Sequence, residues 1–424
     1  MILFNGEIIN TKAINLEEKY IDSLYDRCVE TLNQPVQITR GQVIGACDRL
    51  YHRVMAGEFN EYIWPLLTVA DISYERFREM AELFSREELE YKCRVELGEW
   101  TEPLADLKCG ISRRVCPLGI LLHIAAGNVD GLPAYSVIEG LLAGNINILK
   151  LPAGDSGFSV KLLSELVKEE PALAEYIYVF DVPSTETATL RKLAEVADAV
   201  VVWGGDEAVN AARHLTDEKT KVIAWGHKLS FAYVTEAVTD EELYGLARHV
   251  CETNQVLCSS CQGIYVGTRS PEVVAQTGQR FFEQLKKANA ACGKADPGMR
   301  GRNSIRIYND LLEAEEGQTI LNDEGVSVHI KSDSRLEISY LFRNVWVKGL
   351  PSENIITELK KHKGHLQSCA LLCAEEERPL LAELLVKAGL VRITGADMSA
   401  SESGGAHDGM YPLREYSRIV ETGQ

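Results

Sequence analysis

The spacing of apolar residues divides the chain into a helical first part and two series in which strands and helices alternate. Over roughly the first 100 residues, apolar side chains recur at helical spacing. Ile21, Leu24, Cys28 and Leu32 follow this spacing, and Pro35 comes shortly after them. We interpret this part of the chain as a layer of helices that serves packing.

From about residue 113 the pattern changes to buried strands separated by amphipathic helices. The run VCPLGILLHIAA is apolar almost throughout, as expected of a strand covered on both faces. A helix is predicted near residues 134–143. NINILKL, YIYVFDVP and DAVVVWGG then read as strands, and VKLLSELVKE and TATLRKLAEVA as helices. This alternation indicates parallel βαβ units and hence a doubly wound sheet.

A second series begins near Lys221 and predicts a second α/β domain. KVIAWG, LSFAYVT and QGIYVG are typical of strands, whereas DEELYGLARHVCE and PEVVAQTGQRFFEQLKKA are typical of helices. The polar, Gly-containing region 295–335 is predicted to be an irregular connection. The Gly- and Ser-rich ASESGGAHDGMYPL near the end is predicted to be a loop.

Charge and cysteine usage narrow the classes of function. A net charge of −18 over 424 residues argues against a nucleic-acid or anionic-membrane surface, because both require clustered Lys and Arg. The net negative charge is still compatible with the binding of an anionic small ligand. The start, MILFNGEIINTK, lacks the pattern of a secretory signal, and no apolar stretch reaches the ~20 residues of a spanning helix. Eleven scattered cysteines then predict free thiols in the cytoplasm.

Three places carry side chains or turns that could bind a ligand. In WGGDEAV, Gly204 and Gly205 join a strand to a helix whose amino terminus would attract phosphate, although a plain turn capped by Asp206 explains them equally well. Asn128 follows a buried strand, where open α/β sheets bind ligands, and is either an oxyanion donor or a turn residue. Lys150 ends the next strand and either reaches solvent or holds a ribose or phosphate.

The segment CETNQVLCSSCQGIYV holds three cysteines, and its residues alone allow a metal site, a redox pair, buried core or a nucleophile. Cys258 and Cys261 form a C-x-x-C, but no second such pair or spaced His pair completes a metal set. Cys369 and Cys373 lie in an apolar strand and are predicted to be core. No metal site is therefore predicted.

Several segments resemble known families. GLLAGNINILKLPAG is similar to the AxxAGNxxxxKP segment of the aldehyde dehydrogenase superfamily, GNVDGLP to its Asn-bearing strand end, and NQVLCSS to its catalytic-cysteine segment. HIAAGNV, WGGDEAV, GHKLSF and NQVLCSSCQ together resemble the LuxC-type acyl-CoA reductases, the fatty-acyl reductases known from bacterial luminescence. The match extends from about residue 110 to the end.

The resemblance implies an aldehyde-dehydrogenase-like α/β fold with a doubly wound parallel sheet for the cofactor and a second α/β domain for catalysis. The implied domains are residues 1–226 with the helical part, 227–399 with the nucleophile, and 400–424, which returns to the cofactor domain or forms an oligomer interface. Cys258 is the implied nucleophile, with Asn128 as oxyanion donor. The implied cofactor contacts are Lys150, Pro152, Trp203, Gly204 and Gly205.

Two departures from the superfamily change the expected chemistry. Hydrolytic members carry a water-activating Glu in an ELGGK segment, but here the matching AWGHK places Ala224 at that position. We therefore expect the acyl group to be exchanged with a thiol such as coenzyme A. His227 in the same segment either acts as acid or base or packs the turn. ISYLFRNV, at the place of the EIFGP segment, lacks the Glu that contacts the nicotinamide ribose.

The resulting prediction is an acyl-CoA reductase that uses NADPH or NADH, forms an acyl-cysteine and releases coenzyme A and an aldehyde. The first alternative is a coenzyme-A-acylating dehydrogenase of short aldehydes. The second, from another class, is a thiol-redox or zinc-holding protein built on Cys258 and Cys261. The third is a non-catalytic scaffold. The resemblance also implies an acyl-CoA or acyl-protein substrate, an acyl-activating synthetase partner and a homo-oligomer.

Overall fold

The structure is a computed structural model that describes residues 2–10, 14–35, 37–70, 74–98, 104–106, 110–125, 131–293, 297–313, 318–323, 325–398 and 405–423. The chain divides into two units, Met1–Gly226 with Glu402–Gln424, and His227–Ser401. Each unit has its own sheet and its own apolar core. The assignment of the cofactor to one unit and of catalysis to the other stays a prediction.

The first part of the chain is helical, as predicted, except for a hairpin at its start. The hairpin strands are β1 (Ile2–Phe4) and β2 (Glu7–Ile9), and Asn5 and Gly6 between them both have positive φ, as a tight hairpin turn requires. The helices are α1 (Ile14–Asp22), α2 (Leu24–Leu32), α3 (Arg40–Met55), α4 (Asn60–Ala70), α5 (Tyr74–Glu82) and α6 (Arg86–Leu97).

The first unit is built around a sheet in the order β2-β1-β7-β6-β5-β8-β9, counting described strands. Its parallel part consists of β5 (Ile120–Ile124), β6 (Ile146–Lys150), β7 (Ile177–Phe180), β8 (Ala199–Trp203) and β9 (Lys221–Trp225). The intervening helices are α7 (Leu132–Leu142), α8 (Phe158–Glu169), α9 (Thr187–Val196) and α10 (Asp206–Leu215). The strand order reverses between β5 and β8, so the sheet is doubly wound, as predicted.

The apolar run at 115–126 was predicted to be one strand, and this was wrong. It contains the end of β4 (Ile111–Pro117) and all of β5, which belong to different sheets. The break lies at Gly119, where φ is +136°. A Cβ at this residue would lie 2.1 Å from a carboxylate oxygen of Asp198, which accepts a hydrogen bond from Ile120 N at 2.8 Å. The carboxylate therefore occupies the side-chain position that only glycine leaves open.

A second correction concerns β9, which was read as the first strand of the second series. It pairs in parallel with β8, with Trp203 opposite Trp225, and so completes the first sheet. The apolar pattern of β9 would be the same in either sheet, because the pattern depends on burial and not on which strand lies next to it.

The second unit contains a sheet in the order β12-β13-β14-β11-β10-β15-β16. Its described strands are β10 (Leu229–Val234), β11 (Cys261–Val266), β12 (Thr319–Asp323), β13 (Val326–Lys331), β14 (Asn344–Gly349), β15 (Leu366–Leu372) and β16 (Arg392–Thr394). Its described helices are α11 (Asp240–Thr253), α12 (Pro271–Cys292), α13 (Pro297–Glu313), α14 (Ile355–Leu359) and α15 (Arg378–Ala388).

The prediction of an irregular connection over 295–335 was wrong, because this region contains α13, β12 and β13. β13 is buried between β12 and β14. In α13, few of the described side chains are buried, among them Asn303 and Ile307. A helix with so narrow a buried stripe gives a weak apolar signal, and its glycines weaken the signal further.

The C-terminal residues 405–423 pack within the first unit. α16 (Pro412–Glu415) packs against α6, where Leu413 N donates to Glu96 Oε2 at 2.7 Å. β17 (Ser417–Gly423) pairs antiparallel with β4, which also pairs with β3 (Leu104–Asp106). Of the predicted loop 400–413, residues 400–404 lie outside the described residues. Among the described helices, none is long and apolar enough to cross a membrane.

Candidate active site

Cys258 lies on an exposed turn between the end of α11 and the start of β11. The chain leaves α11 through Asn254 and Gln255, whose φ angles are 45° and 62°. Two successive non-glycine residues in the left-handed region are strained, and such strain persists only where the surroundings fix the backbone. The side chain of Cys258 is exposed, whereas the flanking Ser260 is buried.

The amide of Gln255 supplies the contacts that hold this turn. Its Nε2 donates to the carbonyl oxygens of Cys261 and Asn344 at 3.0 and 3.1 Å, and to Ser339 Oγ at 3.0 Å. Its Oε1 accepts from Asn344 N at 3.0 Å. A buried side-chain amide with this many partners fixes the backbone on either side of Cys258.

The thiol of Cys258 receives a hydrogen bond from a neighbouring strand. Gln367, the second residue of β15, is buried and donates from Nε2 to Cys258 Sγ over 3.3 Å. Ser230 near the start of β10 donates to Cys258 O at 2.8 Å. An amide donor aimed at sulfur stabilises the thiolate over the thiol, and the thiolate is the nucleophilic form. The geometry suits an anchored, solvent-accessible nucleophile.

Cys261 has a different environment from Cys258. It is fully buried in β11, and its Sγ donates to the carbonyl oxygen of Gly263 at 3.3 Å. Burial raises the pKa of the Cys261 thiol to about 12. A thiol of this kind is a poor attacking or resolving partner in disulfide exchange. In the described part of the chain, no three His, Cys, Asp or Glu side chains cluster as a metal site would need.

His227 is exposed, and its backbone oxygen accepts a hydrogen bond from the ring Nδ1 of His365 at 3.0 Å. The two imidazole centroids lie 6.4 Å apart. A role for His227 as acid or base stays a prediction. Ala224 lies in β9 of the first unit, opposite Val202.

The predicted cofactor contacts lie at the carboxyl edge of the first sheet. Lys150 ends β6, is 4% exposed and donates from Nζ to Ser184 Oγ at 3.1 Å. Burial lowers the pKa of Lys150, and nearby Asp181 opposes this. Gly204 and Gly205 follow β8, on the far side of the strand-order reversal. A Cβ at Gly204 would lie 2.9 Å from that of Ala208, whereas one at Gly205 would meet nothing within 4 Å.

These residues fit a dinucleotide. They lie at the carboxyl edge of the sheet where the strand order reverses between β5 and β8, which is where open α/β sheets bind such ligands. Gly205 leaves free space for a phosphate at the amino terminus of α10. Asn128, predicted at this edge after β5, lies outside the described residues.

Two other predicted cofactor residues are buried. Pro152 is buried just past β6. Trp203 is 7% exposed, and its Nε1 donates to Ser136 Oγ at 2.9 Å. Its ring centroid lies 5.5 Å from that of Trp225 and 5.1 Å from that of His407. The structure gives Trp203 packing partners, and its contact with a cofactor stays a prediction.

The segment that replaces EIFGP contains a second strained turn. Leu341, Phe342 and Arg343 have φ of 60°, 49° and 70°. Phe342 N donates to Asn254 O at 2.9 Å, and Arg343 Nε donates to Asn254 Oδ1 at 3.3 Å. This turn therefore holds the first residue of the loop that carries Cys258.

The sequence prediction missed Gln255, Ser230 and Gln367. Ser230 and Gln367 are polar residues near the starts of strands that are otherwise almost wholly apolar, LSFAYV and LQSCALL. A buried polar residue must find a partner, so their presence in core strands was a usable signal. Which partner each one finds depends on the pairing of β10, β11 and β15, which the local pattern does not specify.

Comparison with solved structures identifies the fold. The chain superposes on 3,6-anhydro-L-galactose dehydrogenase in complex with NAP with a TM-score of 0.71 at 13% identity, covering 99% of this chain and 98% of the other. For betaine aldehyde dehydrogenase of Staphylococcus aureus in complex with NAD⁺, the TM-score is 0.70 at 16% identity, with 99% and 93% covered. The two-unit α/β architecture is thus aldehyde-dehydrogenase-like, as predicted.

The relatives found by sequence comparison include two that are each named long-chain acyl-protein thioester reductase. That of Vibrio harveyi is 26% identical over 314 residues, which are 72% of this chain and 65% of the relative. That of Aliivibrio fischeri is 26% identical over 339 residues, 76% of this chain and 67% of the relative. The chain thus spans about two thirds of the length of each.

The profile of a family described as acyl-CoA reductase (LuxC) matches residues 46–419. The matched range takes in both units and the turn that bears Cys258. The chain therefore belongs to the LuxC family of acyl-CoA reductases.

Proposed function

We propose that this protein reduces a fatty acyl thioester to an aldehyde with a nicotinamide cofactor, by way of an acyl group carried on Cys258. The observation that carries the proposal is the thiol itself. Cys258 is exposed on a turn fixed by Gln255, and the buried amide of Gln367 donates to its sulfur. Membership of the LuxC family supports the choice of an acyl thioester as substrate.

In the first half-reaction, the thiolate of Cys258 attacks the thioester carbonyl carbon. The new bond from carbon to Cys258 sulfur forms as the bond to the donor sulfur breaks, and the donor leaves as a thiolate that takes a proton from water. Thioester exchange needs no metal, because donor and acceptor sulfur are equally good leaving groups.

In the second half-reaction, the acyl carbon is reduced by two electrons, and a thiohemiacetal oxyanion forms on Cys258. Its collapse releases the aldehyde and regenerates the thiolate. By the resemblance to aldehyde dehydrogenases, we assign the side-chain amide of Asn128 to the oxyanion. Removal of one such donor typically costs ~10²–10³ in turnover, so Asn128→Ala should fall in this range.

The cofactor, when bound, supplies hydride. Residues of the first unit fit its binding: Lys150 would pair with the adenosine ribose or a 2′-phosphate, and the space beside Gly205 would admit the pyrophosphate. A lysine can pair with the additional phosphate of NADPH, and we propose NADPH or NADH as the reductant.

The acyl donor is the finer part of the proposal. Ala224 replaces the carboxylate that activates water in hydrolytic relatives, so the acyl-enzyme should exchange with thiols and resist hydrolysis. The two named relatives act on acyl-protein thioesters, which adds an acylated carrier protein or synthetase to coenzyme A as a candidate donor. The second candidate function is the reverse reaction, the oxidation of short aldehydes.

A chain-length series of acyl-CoA esters with NADPH and with NADH tests this proposal, with aldehyde and free thiol as the measured products. Cys258→Ala should abolish both products, whereas Cys261→Ala should retain most of the activity. Zinc analysis of the purified protein tests the other class, since stoichiometric zinc would favour a metal-holding role for the two cysteines. Aldehyde formation by Cys258→Ala would remove the proposal.

A further inference from the structure

The first unit contains an apolar cavity that the sheet-edge site does not use. Its volume is about 280 Å³, close to the lower bound of small-molecule pockets, roughly 300–1,000 Å³. The side chains that line it are almost all apolar and come from α3, α5, α7 and α8 and the turn after α5. They include Leu50, Phe77, Leu132, Ile138, Phe158 and Leu166.

The position of the cavity follows from the βαβ topology. α7 and α8 follow β5 and β6, so both helices begin at the carboxyl edge of the sheet and run back along it. Gly131, Leu132 and Phe158 lie at the starts of these helices and define the near end of the cavity. Ile138 and Leu166 lie about 9 and 12 Å further along their helices, at 1.5 Å per residue, and define the far end.

The near end adjoins the reaction edge of the sheet in sequence. Gly131 comes three residues after Asn128 in the sequence, and its φ of +84° favours glycine; a Cβ there would lie 3.8 Å from a ring carbon of Phe158, an ordinary contact distance. Because α7 and α8 begin at the carboxyl edge of the first sheet, the near end of the cavity lies at the same edge as Lys150 and Gly205.

The lining favours an apolar ligand. Tyr135 contributes its ring to the wall, and desolvation by burial raises the pKa of its hydroxyl. The same hydroxyl lies next to the buried ion pair of Lys92 with Glu139, whose atoms are 3.0 Å apart. Because the Tyr135 hydroxyl interacts with this ion pair, the wall of the cavity presents mainly carbon atoms to a ligand. Unfilled apolar space weakens a fold in proportion to its volume, which favours a cavity that is filled in use.

We propose that this cavity binds the hydrocarbon chain of the fatty acyl substrate, with the carboxyl end of the chain near Gly131 and the methyl end near Leu166. The inference rests on the proposed function for the identity of the chain and adds the binding site and its length limit. Chains that extend past Leu166 would clash with the far end, and short chains would leave it empty.

Direct labelling tests the site without catalysis. Decanoic acid, whose extended chain matches the roughly 12 Å between Phe158 and Leu166, should label peptides of α8 or α7 that contain Leu166 or Ile138 when it carries a diazirine at its methyl end and is added to the full-length protein. The same acid with the diazirine beside the carboxyl group should label near Gly131 or Phe158. Excess decanoic acid should suppress both labels. Labels elsewhere, or labels that the excess acid leaves unchanged, would overturn the proposal.

Chain-length selectivity provides a second test. Leu166→Phe should lower kcat/KM for decanoyl-CoA about tenfold or more and leave that for butanoyl-CoA unchanged, the usual scale for a misfit of one or two methylenes. Leu166→Ala, which enlarges the far end, should retain or raise kcat/KM for the long-chain acyl-CoA. Leu190→Phe on α9, a buried leucine outside the cavity, is the matched control.

Equal loss on both substrates in Leu166→Phe, or no loss on either, would contradict the cavity as the chain site. Absence of reductase activity on every chain length would instead contradict the proposed function. In that case the labelling experiment still decides the cavity by itself.

Discussion

At the scale of single residues, a hydrogen bond from a core strand contributes to the environment of Cys258. The buried amide of Gln367 donates to Sγ, and a charge-assisted hydrogen bond of this kind is worth about 1.5–3 kcal/mol. Gln367→Ala should therefore lower the rate of Cys258 alkylation at pH 7 by about tenfold, as followed by peptide mass analysis. The isosteric Gln367→Glu, which replaces the donor with a carboxylate, should lower it further.

The control is the alkylation of an unfolded sample, in which both variants should match the wild type. Alkylation of native Gln367→Ala at the wild-type rate would show that the amide does not act on the sulfur. Because Cys292 is also exposed, these measurements are best made in a Cys292→Ser background.

Cys292 itself is predicted to be reactive. It ends α12, and a hydrogen bond from the buried Cys251 thiol lowers the pKa of Cys292 to about 7, against partial burial, which raises it. The rate of its reaction with iodoacetamide should therefore rise with pH to a midpoint near 7, whereas an ordinary thiol has its midpoint near pH ~8.5. Cys251→Ala should shift this midpoint upward. A native midpoint above pH 8 would refute the contact.

At the scale of secondary-structure elements, a buried histidine couples β5, β6 and α7. His123 on β5 contacts Ser136 Oγ through Nδ1 at 2.7 Å and Asn147 Oδ1 through Nε2 at 3.0 Å. Burial lowers the pKa of His123 from 6.5 to about 4, although the hydrogen bond with Asn147 opposes this shift. The ring is therefore neutral in the folded protein at neutral pH.

The sign of the pH effect on stability follows from the difference between the pKa of His123 in the folded protein and its pKa in the unfolded chain. Between pH 6.5 and 4 the unfolded chain binds a proton that the folded chain excludes, so stability is complete above pH 6.5 and is lost as the pH falls toward 4. The loss should approach about 3 kcal/mol, at 1.36 kcal/mol per pKa unit. Urea unfolding from pH 7 to 4.5 should show a shallower pH dependence for His123→Gln. An equal pH dependence of stability in the wild type and in His123→Gln would contradict this prediction.

The sequence predicted the parallel strands of the first sheet but only β10, β11 and β15 among the described strands of the second, because each of these buried strands carries its own apolar pattern. It failed where the outcome depends on a distant partner. The break at Gly119 needs Asp198, the sheet chosen by β9 needs β8, and the contact of Gln367 with Cys258 needs the pairing of β10, β11 and β15. The helix α13 escaped prediction because its buried stripe is narrow.

The Cys258 motif could be recognised because its residues are contiguous. NQVLCSS brings the predicted nucleophile Cys258 and Gln255 into one segment, and the resemblance then distinguished Cys258 from the buried Cys261. The nucleophilic role of Cys258 stays a prediction. The cavity was not predictable in this way. Its lining comes from four helices spread over residues 47–166, and no single segment carries more than a part of it.

At the scale of the whole molecule, we propose that the absence of a carboxylate at Ala224 decides whether water or a thiol deacylates Cys258. General-base assistance is typically worth ~10²–10⁴ in rate, so water should deacylate Cys258 slowly, whereas a thiol needs no such base. Given an aldehyde and oxidised cofactor alone, the protein should release about one reduced cofactor per site and then stall. Addition of coenzyme A should restart turnover and yield acyl-CoA.

A matched variant is Ala224→Glu, which restores the carboxylate at the position of the hydrolytic relatives and should raise the stalled rate in the absence of thiol. Steady formation of free acid by the wild type without any thiol would contradict this account. It would point to another base, and His227→Ala would be the first variant to test.

The most direct test of the account is the mass of the protein after incubation with an acyl-CoA in the absence of any nicotinamide cofactor. The account predicts an added mass of one acyl group, located on the peptide that contains Cys258, removed by a later addition of NADPH or NADH with release of aldehyde, and absent from Cys258→Ala. An acyl group on Cys261 or Cys292, or no acyl group on Cys258, would contradict the central claim that Cys258 carries the substrate.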